Sequence, residues 1–151
     1  MKILMVCLGN ICRSPMAEGV MRQKIEKYNL DAEVNSCGTA NYHIGESPDY
    51  RAIQTALNYN IDISQHKGQQ FSVSDFITYD LIFAMDSSNY SDIIAKAVNK
   101  KDIAKVKLLM DEVYPKQQKV VPDPYYGNLE DYENVYTLIE IACEHLAKRL
   151  S

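Results

Sequence analysis

Cys7, a potential nucleophile, and Arg13, a fixed positive charge, lie close together near the start of the chain, in the stretch Leu4-Met5-Val6-Cys7-Leu8-Gly9-Asn10-Ile11-Cys12-Arg13-Ser14-Pro15. The apolar residues 3–6 are typical of a strand buried on both faces, and Ser14 followed by Pro15 is typical of a capped helix start. A loop between a strand and a helix faces backbone N–H groups and the positive end of the helix dipole. We therefore predict an anion-binding loop here.

The residues of this loop favour phosphate as the anion. Gly9 and Asn10 are the residue types that most readily adopt the left-handed conformation needed to curl a loop around an anion. The planar guanidinium of Arg13 matches the geometry of a phosphate group. In such positive surroundings Cys7 is expected to be a thiolate, and hence a nucleophile. A packed cysteine, a solvated arginine and an ordinary turn would explain each residue alone, but their joint placement favours a phosphate site.

Length, charge and cysteine usage limit the classes of protein to which the chain can belong. We expect its 151 residues to form one domain, residues 1–151, and its net charge of −4 argues against a nucleic-acid partner. Residues 1–10 lack a cleavage site and are interpreted as a strand rather than a signal peptide, and no apolar run could span a membrane. Four cysteines without disulfide-framework spacing suggest a cytoplasmic protein, and three scattered histidines argue against a metal site.

The rest of the chain alternates between predicted strands and predicted helices. Strands are predicted at 3–6, 33–37, 81–85 and 106–110, and helices at 15–28, 49–58, 72–79, 129–149 and from a Ser87 or Ser88 cap to 98. This alternation predicts a single-domain α/β fold, a parallel sheet with helices on both faces. Ligands of such folds bind at the carboxyl ends of the strands, which is where Cys7 is predicted to lie.

An irregular segment, residues 120–127, follows the last predicted strand and contains a second candidate for chemistry. Asp123 lies between two prolines, which would hold its carboxyl group at a fixed place for general acid catalysis. An aspartate beside a proline is also common in plain turns, and from the residues alone the two interpretations are about equal. Tyr125 and Tyr126 follow it, either as walls of a cleft or as surface aromatics.

The sequence resembles the low-molecular-weight protein tyrosine phosphatases over nearly its whole length. Cys7, five intervening residues, and then Arg13 and Ser14 match the signature loop of that family. Further segments resemble its variable substrate-facing loop, a segment after the third strand and its general-acid loop: Tyr42-His43-Ile44-Gly45 with Pro48-Asp49-Tyr50-Arg51, Ala84-Met85-Asp86 with Asn89, and Asp123-Pro124-Tyr125-Tyr126-Gly127. Other tyrosine phosphatases place this loop late in a longer chain. The resemblance implies a four-stranded parallel sheet flanked by helices.

The resemblance also implies a role for each candidate residue. Cys7 would form a phosphocysteine intermediate, Asp123 would act as general acid and then base, and no cofactor or metal would be needed. The phosphate would be bound by Arg13 and by the other loop residues, Leu8, Gly9, Asn10, Ile11, Cys12 and Ser14. The substrate ring would be contacted by Tyr125 and Tyr126 on one wall of the cleft and by Tyr42 on the other. The implied substrates are phosphotyrosine proteins or small aryl phosphates, with inorganic phosphate as product.

Several residues have two interpretations that the sequence leaves open. Ser14 is expected to cap the first helix and to donate a hydrogen bond to the Cys7 thiolate. His66 would support Asn10 or be a structural hydrogen-bonding histidine, and Asp86 would support the site or be a turn residue. Cys12 would either form a protective disulfide with oxidised Cys7 or simply pack beneath the loop.

Three other functions share parts of this pattern. Arsenate reductases of the same fold need further cysteines after the third strand, and residues 86–98 contain none. Phosphoarginine phosphatases carry a threonine where this chain has Ile11, whose apolar side chain favours an aromatic ester. A non-catalytic anion-binding module would be expected to lack Cys7, Arg13 or Asp123. We therefore expect a metal-independent tyrosine phosphatase, while its physiological substrate and oligomeric state stay open.

Overall fold

The structure is a computed structural model that describes residues 1–151 and contains four strands and six α-helices. The strands are β1 (Lys2–Cys7), β2 (Glu33–Gly38), β3 (Leu81–Ala84) and β4 (Val106–Leu108). The helices are α1 (Arg13–Lys27), α2 (Tyr50–Leu57), α3 (Asp75–Thr78), α4 (Ser87–Ile94), α5 (Lys100–Ala104) and α6 (Leu129–Leu150), and a 3-10 turn spans Leu109–Glu112. None of these helices is both long enough and apolar enough to span a bilayer.

As predicted, the four strands form one parallel sheet, and their order in it is β2-β1-β3-β4. Cys7 pairs with Gly38 at the end of β2, and Val6 pairs with Ala84 at the end of β3. Because parallel strands end at the same edge, the loops that follow β1, β2 and β3 meet there. This edge therefore holds Cys7 beside the residues that follow Ala84.

Helices cover both faces of the sheet, which explains why β1 is apolar from Ile3 to Cys7, with only its first residue, Lys2, exposed. Ile3 and Met5 belong to the larger core, which contains residues of α1, α2 and α6, whereas Leu4 and Val6 belong to a second core with Phe76 of α3 and Ile93 of α4. Successive residues of a strand point to opposite faces, so a strand covered on both sides must be apolar at every position. The predicted two-sided burial is confirmed.

The first helix begins earlier than predicted, and Ser14 does not cap it. Helix α1 starts at Arg13, the residue in the cap position is Cys12, and no side chain makes a cap hydrogen bond. Ser14 is fully buried inside the first turn, where its hydroxyl contacts groups of the loop instead. The cap prediction was wrong because Ser14 bonds to the site rather than to the helix end.

The segment after β3 also differs from its prediction. Asp86, not Ser87 or Ser88, caps α4 by accepting a hydrogen bond from the backbone N–H of Asn89 (2.8 Å). The predicted helix to residue 98 is in fact two helices, since α4 ends at Ile94 and Asn99 caps a separate helix, α5. Strand β4 is shorter than predicted, because the buried residues after Leu108 form the 3-10 turn. Helix α3 is a single turn and is shorter than the helix predicted for residues 72–79.

Candidate active site

Cys7 lies at the carboxyl end of β1, where the loop to α1 folds around its sulfur atom. The Ser14 hydroxyl lies 3.0 Å from Cys7 Sγ, and the backbone N–H of Asn10 donates to the same sulfur at 3.3 Å. Both groups can stabilise negative charge on the sulfur. The predicted contact between Ser14 and the nucleophile is therefore present, even though the predicted cap is not.

The backbone of the loop leaves a set of N–H groups free for an anion. Six of them have no acceptor within the chain: those of Leu8, Gly9, Ile11, Cys12, Arg13 and Ser14. Unpaired backbone donors at the start of a helix are the usual means of binding a phosphate. Asn10 has a φ of 58°, which turns the chain so that its own N–H bonds to the sulfur instead.

Gly9 was predicted to share this left-handed conformation with Asn10, and that prediction was wrong. Gly9 is not among the residues with positive φ. A Cβ atom at this position would lie 3.0 Å from Cδ2 of His43, so the glycine instead allows the His43 ring to pack against the loop. The residue type is explained by close approach rather than by backbone conformation.

The side chain of Asn10 ties the loop to three other parts of the chain. Its amide nitrogen donates to the hydroxyls of Ser14 (2.7 Å) and Ser36 (3.1 Å). Its amide oxygen accepts from the backbone N–H of Gln69 (3.0 Å) and lies 2.8 Å from Nε2 of His66, which therefore acts as a donor. His66 thus contacts the loop through Asn10, the supporting arrangement that the resemblance implied.

Arg13 is buried and its guanidinium is held in place by groups from two other loops. Nη1 donates to Oδ2 of Asp86 (2.6 Å) and to the carbonyl of Val121 (3.0 Å), and Nη2 lies 3.6 Å from Oδ2 of Asp123. Burial alone lowers the pKa of Arg13, but the charges of Cys7 and Asp86 outweigh it and the pKa lies above its ordinary value. Arg13 is therefore a permanent cation beside Cys7.

The loop that carries Asp123 crosses the same edge of the sheet. At its start, the N–H of Val121 donates to the carbonyl of Met85, the residue that follows β3 (2.8 Å). Asp123 itself is partly exposed, and its Oδ1 accepts the N–H of Tyr125 at 3.1 Å. Its other oxygen, Oδ2, is the one that faces Nη2 of Arg13.

A cavity of about 270 Å³ opens between these loops and brings most of the predicted residues together. It is lined by Cys7, Leu8, Gly9, Ile11, Cys12, Arg13, Tyr42, His43, Asp123, Tyr125 and Tyr126. Asn10 and Ser14 do not line it; they lie behind the loop and support it. His43 was not predicted as a site residue, although its place beside Tyr42 in the irregular segment before Pro48 was a usable signal.

Cys12 faces away from the solvent and towards α6. Its Sγ lies 3.2 Å from the hydroxyl of Tyr132, and burial raises the pKa of Cys12 to about 12 although the contact with Tyr132 lowers it. The Cys12 sulfur is therefore a protonated thiol at neutral pH. No sequence signal indicated Tyr132, which belongs to a regular helical stripe and contacts the loop only through the fold.

The fold and the site together define a single-domain α/β protein with a cysteine-centred loop of free N–H groups at the carboxyl edge of its sheet. Residues 2–151 match the family model described as low molecular weight phosphotyrosine protein phosphatase. The chain belongs to that family, and it is an enzyme of the class for which its relatives are named, the phosphotyrosine protein phosphatases.

Relatives and solved structures agree with this assignment. The low molecular weight phosphotyrosine protein phosphatase of Homo sapiens is 42% identical over 137 residues, which cover 89% of this chain and 85% of the human one. A protein tyrosine phosphatase from Entamoeba histolytica superposes with a TM-score of 0.93 at 36% identity, covering 99% and 96% of the two chains. The arginine phosphatase YwlE, studied as a variant with a phosphorylated active-site serine, superposes with a TM-score of 0.90 at 27% identity, covering 99% and 95%.

Proposed function

We propose that this chain hydrolyses phosphotyrosine, in proteins or as small aryl phosphates, through a phosphocysteine intermediate and without a metal ion. The observation that carries the proposal is the meeting of Cys7, Arg13 and Asp123 at one cavity whose walls hold three tyrosines. Membership of a family of phosphotyrosine phosphatases supports it. We also infer a cytoplasmic location, because four free cysteines suit a reducing compartment.

Binding of the phosphate group uses the charge that the loop already holds. The six free N–H groups and the Arg13 guanidinium donate to the non-bridging oxygens, and they keep doing so as charge develops in the transition state. Asp86 and the Val121 carbonyl fix the Arg13 side chain, so little reorganisation is needed when the substrate arrives.

In the first step, the Cys7 thiolate attacks phosphorus and the sulfur–phosphorus bond forms. The bond between phosphorus and the aryl oxygen breaks, and the leaving oxygen takes the proton of the Asp123 carboxyl group. The Ser14 hydroxyl and the Asn10 N–H hold the sulfur in place for attack. The products of this step are a free phenol, a phosphocysteine and an Asp123 carboxylate.

In the second step, the Asp123 carboxylate takes a proton from a water molecule whose oxygen attacks phosphorus. The sulfur–phosphorus bond breaks, which releases inorganic phosphate and restores the Cys7 thiolate and the protonated Asp123. Because Asp123 must be protonated while Cys7 is ionised, we expect activity at mildly acidic to neutral pH.

The walls of the cavity favour an aromatic substrate. Tyr125 and Tyr126 meet edge to face with their ring centroids 5.0 Å apart, and Tyr42 and His43 form a second edge-to-face pair at 6.4 Å. Aromatic faces and edges of this kind stabilise a further ring placed between them. Ile11 adds an apolar group to the lining where a phosphoguanidinium substrate would need a polar one.

The test is hydrolysis of phosphotyrosine and phosphoarginine peptides, with EDTA present, by the wild type and by Cys7→Ser. We expect phosphotyrosine turnover that survives EDTA and is lost in the variant. A preference for phosphoarginine would contradict the role of Ile11 and keep the mechanism. Bound phosphate without turnover of either peptide would indicate a binding module.

Asp123→Asn tests the general acid separately. Acid catalysis of this kind contributes roughly 10²–10⁴-fold, so kcat/KM for a phosphotyrosine peptide should fall by about that factor. Inhibition by inorganic phosphate should change little, because Arg13 and the loop bind the anion. An equal loss of phosphate affinity would show that Asp123 acts in binding.

A further inference from the structure

Arg51, which lies outside the cavity, anchors the far end of the loop that carries Asp123. Its Nη2 donates to the carbonyl of Tyr125 (2.9 Å), and its Nη1 donates to the carbonyl of Gly127 (3.1 Å). The guanidinium also lies 5.8 Å from the centre of the Tyr125 ring. One side chain therefore makes two backbone hydrogen bonds to the short segment that follows the proposed acid.

The same arginine is fixed to the phosphate-binding loop by two independent routes. In the first, Nε and Nη2 of Arg51 donate to the two carboxylate oxygens of Asp49 (both 3.0 Å), and the N–H of Asp49 donates to the carbonyl of Ile11 (2.8 Å). In the second, the guanidinium stacks 4.7 Å from the Tyr132 ring, whose hydroxyl contacts Cys12. Ile11 and Cys12 both belong to the loop around Cys7.

These contacts fix the separation between the loop around Cys7 and the loop that carries Asp123. The Tyr125 carbonyl binds Arg51, while the Tyr125 N–H binds the Asp123 carboxylate itself (3.1 Å). Pro122 and Pro124 make the loop stiff, so a fixed end restricts the position of Asp123 as well. The Arg51 side chain donates to Asp49 and holds the pKa of that carboxyl below its ordinary value, so the pair stays charged at mildly acidic pH.

We propose that Arg51, held by Asp49, is a positioning residue that sets the distance between the Asp123 carboxyl group and the phosphate bound over Cys7. The inference rests on the proposed function, since it assigns Arg51 to the acid step of that reaction. Arg51 is not among the residues that line the cavity in which the reaction would take place. Its loss should therefore affect proton delivery to the leaving group more than phosphate binding or attack by the thiolate.

Leaving-group dependence separates this role from a purely structural one. Phenyl phosphate expels a basic phenolate that needs the proton of Asp123, whereas p-nitrophenyl phosphate expels a weakly basic one that needs it less. The ratio of the two kcat/KM values therefore reports how well the acid is placed. A variant that merely lowers the folded fraction changes both values equally and leaves the ratio unchanged.

The experiment measures this ratio in Arg51→Met, in Asp123→Asn and in the double variant, with thermal unfolding to confirm folding. Arg149→Met is the matched control: Arg149 also makes a bidentate pair, with Glu112 (2.7 and 2.9 Å), at the end of α6 and away from the cavity. We expect Arg51→Met to raise the ratio of p-nitrophenyl to phenyl phosphate by about 10-fold or more. The control should leave the ratio unchanged.

The double variant tests directly whether Arg51 acts through Asp123. If Arg51 acts through Asp123, adding Arg51→Met to Asp123→Asn should change the ratio by less than about twofold. Equal losses on both substrates in Arg51→Met, or effects that multiply in the double variant, would overturn the inference. If the wild type hydrolysed neither substrate, the proposed function itself would fail, which is a separate and distinguishable outcome.

Arg51→Lys keeps the experiment decisive if the methionine variant does not fold. An ammonium retains the charge over Tyr132 but cannot bond to two carbonyls and both oxygens of Asp49 at once. The ratio should move in the same direction as in Arg51→Met, by a smaller factor. An unchanged ratio in folded Arg51→Lys would overturn the inference as well.

Discussion

At the scale of single residues, Ser14 shows how one hydroxyl can be assigned to the wrong task. A serine before a proline at a strand-to-helix junction suggests a helix cap, yet the hydroxyl contacts Cys7 Sγ, the Asn10 amide and the Cys37 carbonyl. Its neighbours in space, not in sequence, decide what it bonds to. Ser14 therefore contacts the candidate nucleophile instead of capping the helix.

Ser14→Ala should reduce activity with little effect on helix α1. A hydrogen bond to a charged group is worth about 1.5–3 kcal/mol, so kcat/KM should fall by roughly 10-fold or more because the thiolate loses a donor. Alkylation of Cys7 by iodoacetate should slow down in parallel. Unchanged alkylation and activity would show that the 3.0 Å contact does not stabilise the thiolate.

Cys12 is the second case at this scale, and the protective disulfide with Cys7 stays a prediction. Peroxide would convert the Cys7 thiolate to a sulfenic acid, and attack by Cys12 sulfur would form the disulfide with release of hydroxide. The attacking sulfur must be a thiolate, and burial raises the pKa of Cys12 to about 12. The fraction of protein with a Cys7–Cys12 disulfide after brief peroxide treatment should therefore increase from neutral to alkaline pH. Mass spectrometry measures that fraction; sulfonic acid on Cys7 without a bridge would contradict the prediction.

At the scale of elements, Asp86 joins a helix end to the active site. Its Oδ1 caps α4 through the Asn89 N–H, and its Oδ2 binds Nη1 of Arg13. The two oxygens of one carboxylate thus serve two elements. The first turn of α4 and the orientation of Arg13 are therefore coupled.

Two substitutions of Asp86 should separate these tasks. Asp86→Ser keeps a good cap but loses the bond to Arg13, whereas Asp86→Ala loses both. Both variants should lower kcat/KM by about 10-fold or more, since a charge-assisted hydrogen bond is lost. Both should also be less stable than the wild type because the buried Arg13 loses its partner, but Asp86→Ala should be less stable than Asp86→Ser by a further amount of about 0.5–2 kcal/mol of unfolding free energy, measured by urea denaturation. Equal stabilities of the two variants would show that the cap contributes nothing.

At the scale of the whole molecule, the sheet divides the interior into two cores, and only one of them contains residues of the candidate site. The larger core contains Cys7, Ile11 and Cys12 and thus supports the site directly. The second core contains Ile93 of α4 together with Leu4 and Val6, and none of its members lines the cavity. Stability and activity should therefore respond differently to changes in the two cores.

Ile93→Ala tests this division. Ile93 is fully buried, and such a truncation leaves a cavity that lowers the unfolding free energy by about 2–5 kcal/mol. The midpoint of urea denaturation should fall, while kcat/KM of the folded protein stays near that of the wild type. A large loss of activity at temperatures where the variant is folded would show that the second core also sets the geometry of the site.

The sequence by itself determined the α/β class, the buried strand before Cys7 and the candidate phosphate-binding residues Cys7 and Arg13. These features are local: they depend on the alternation of apolar runs and on residue types a few positions apart. Asp123 needed the resemblance as well, because a proline-flanked aspartate has two common uses. Local patterns reveal elements and motifs well, since each is encoded within a short window.

Only the tertiary structure decided which residues support the site. Arg51 meets Tyr125 and Gly127 more than seventy positions away in the chain, and Tyr132 reaches Cys12 across the interior. Such partners carry no local signal, because hydrogen bonds between loops depend on how the sheet orders its strands and where each loop ends. The candidate chemical groups could thus be recognised in the sequence, whereas the geometry that positions them is a property of the folded chain.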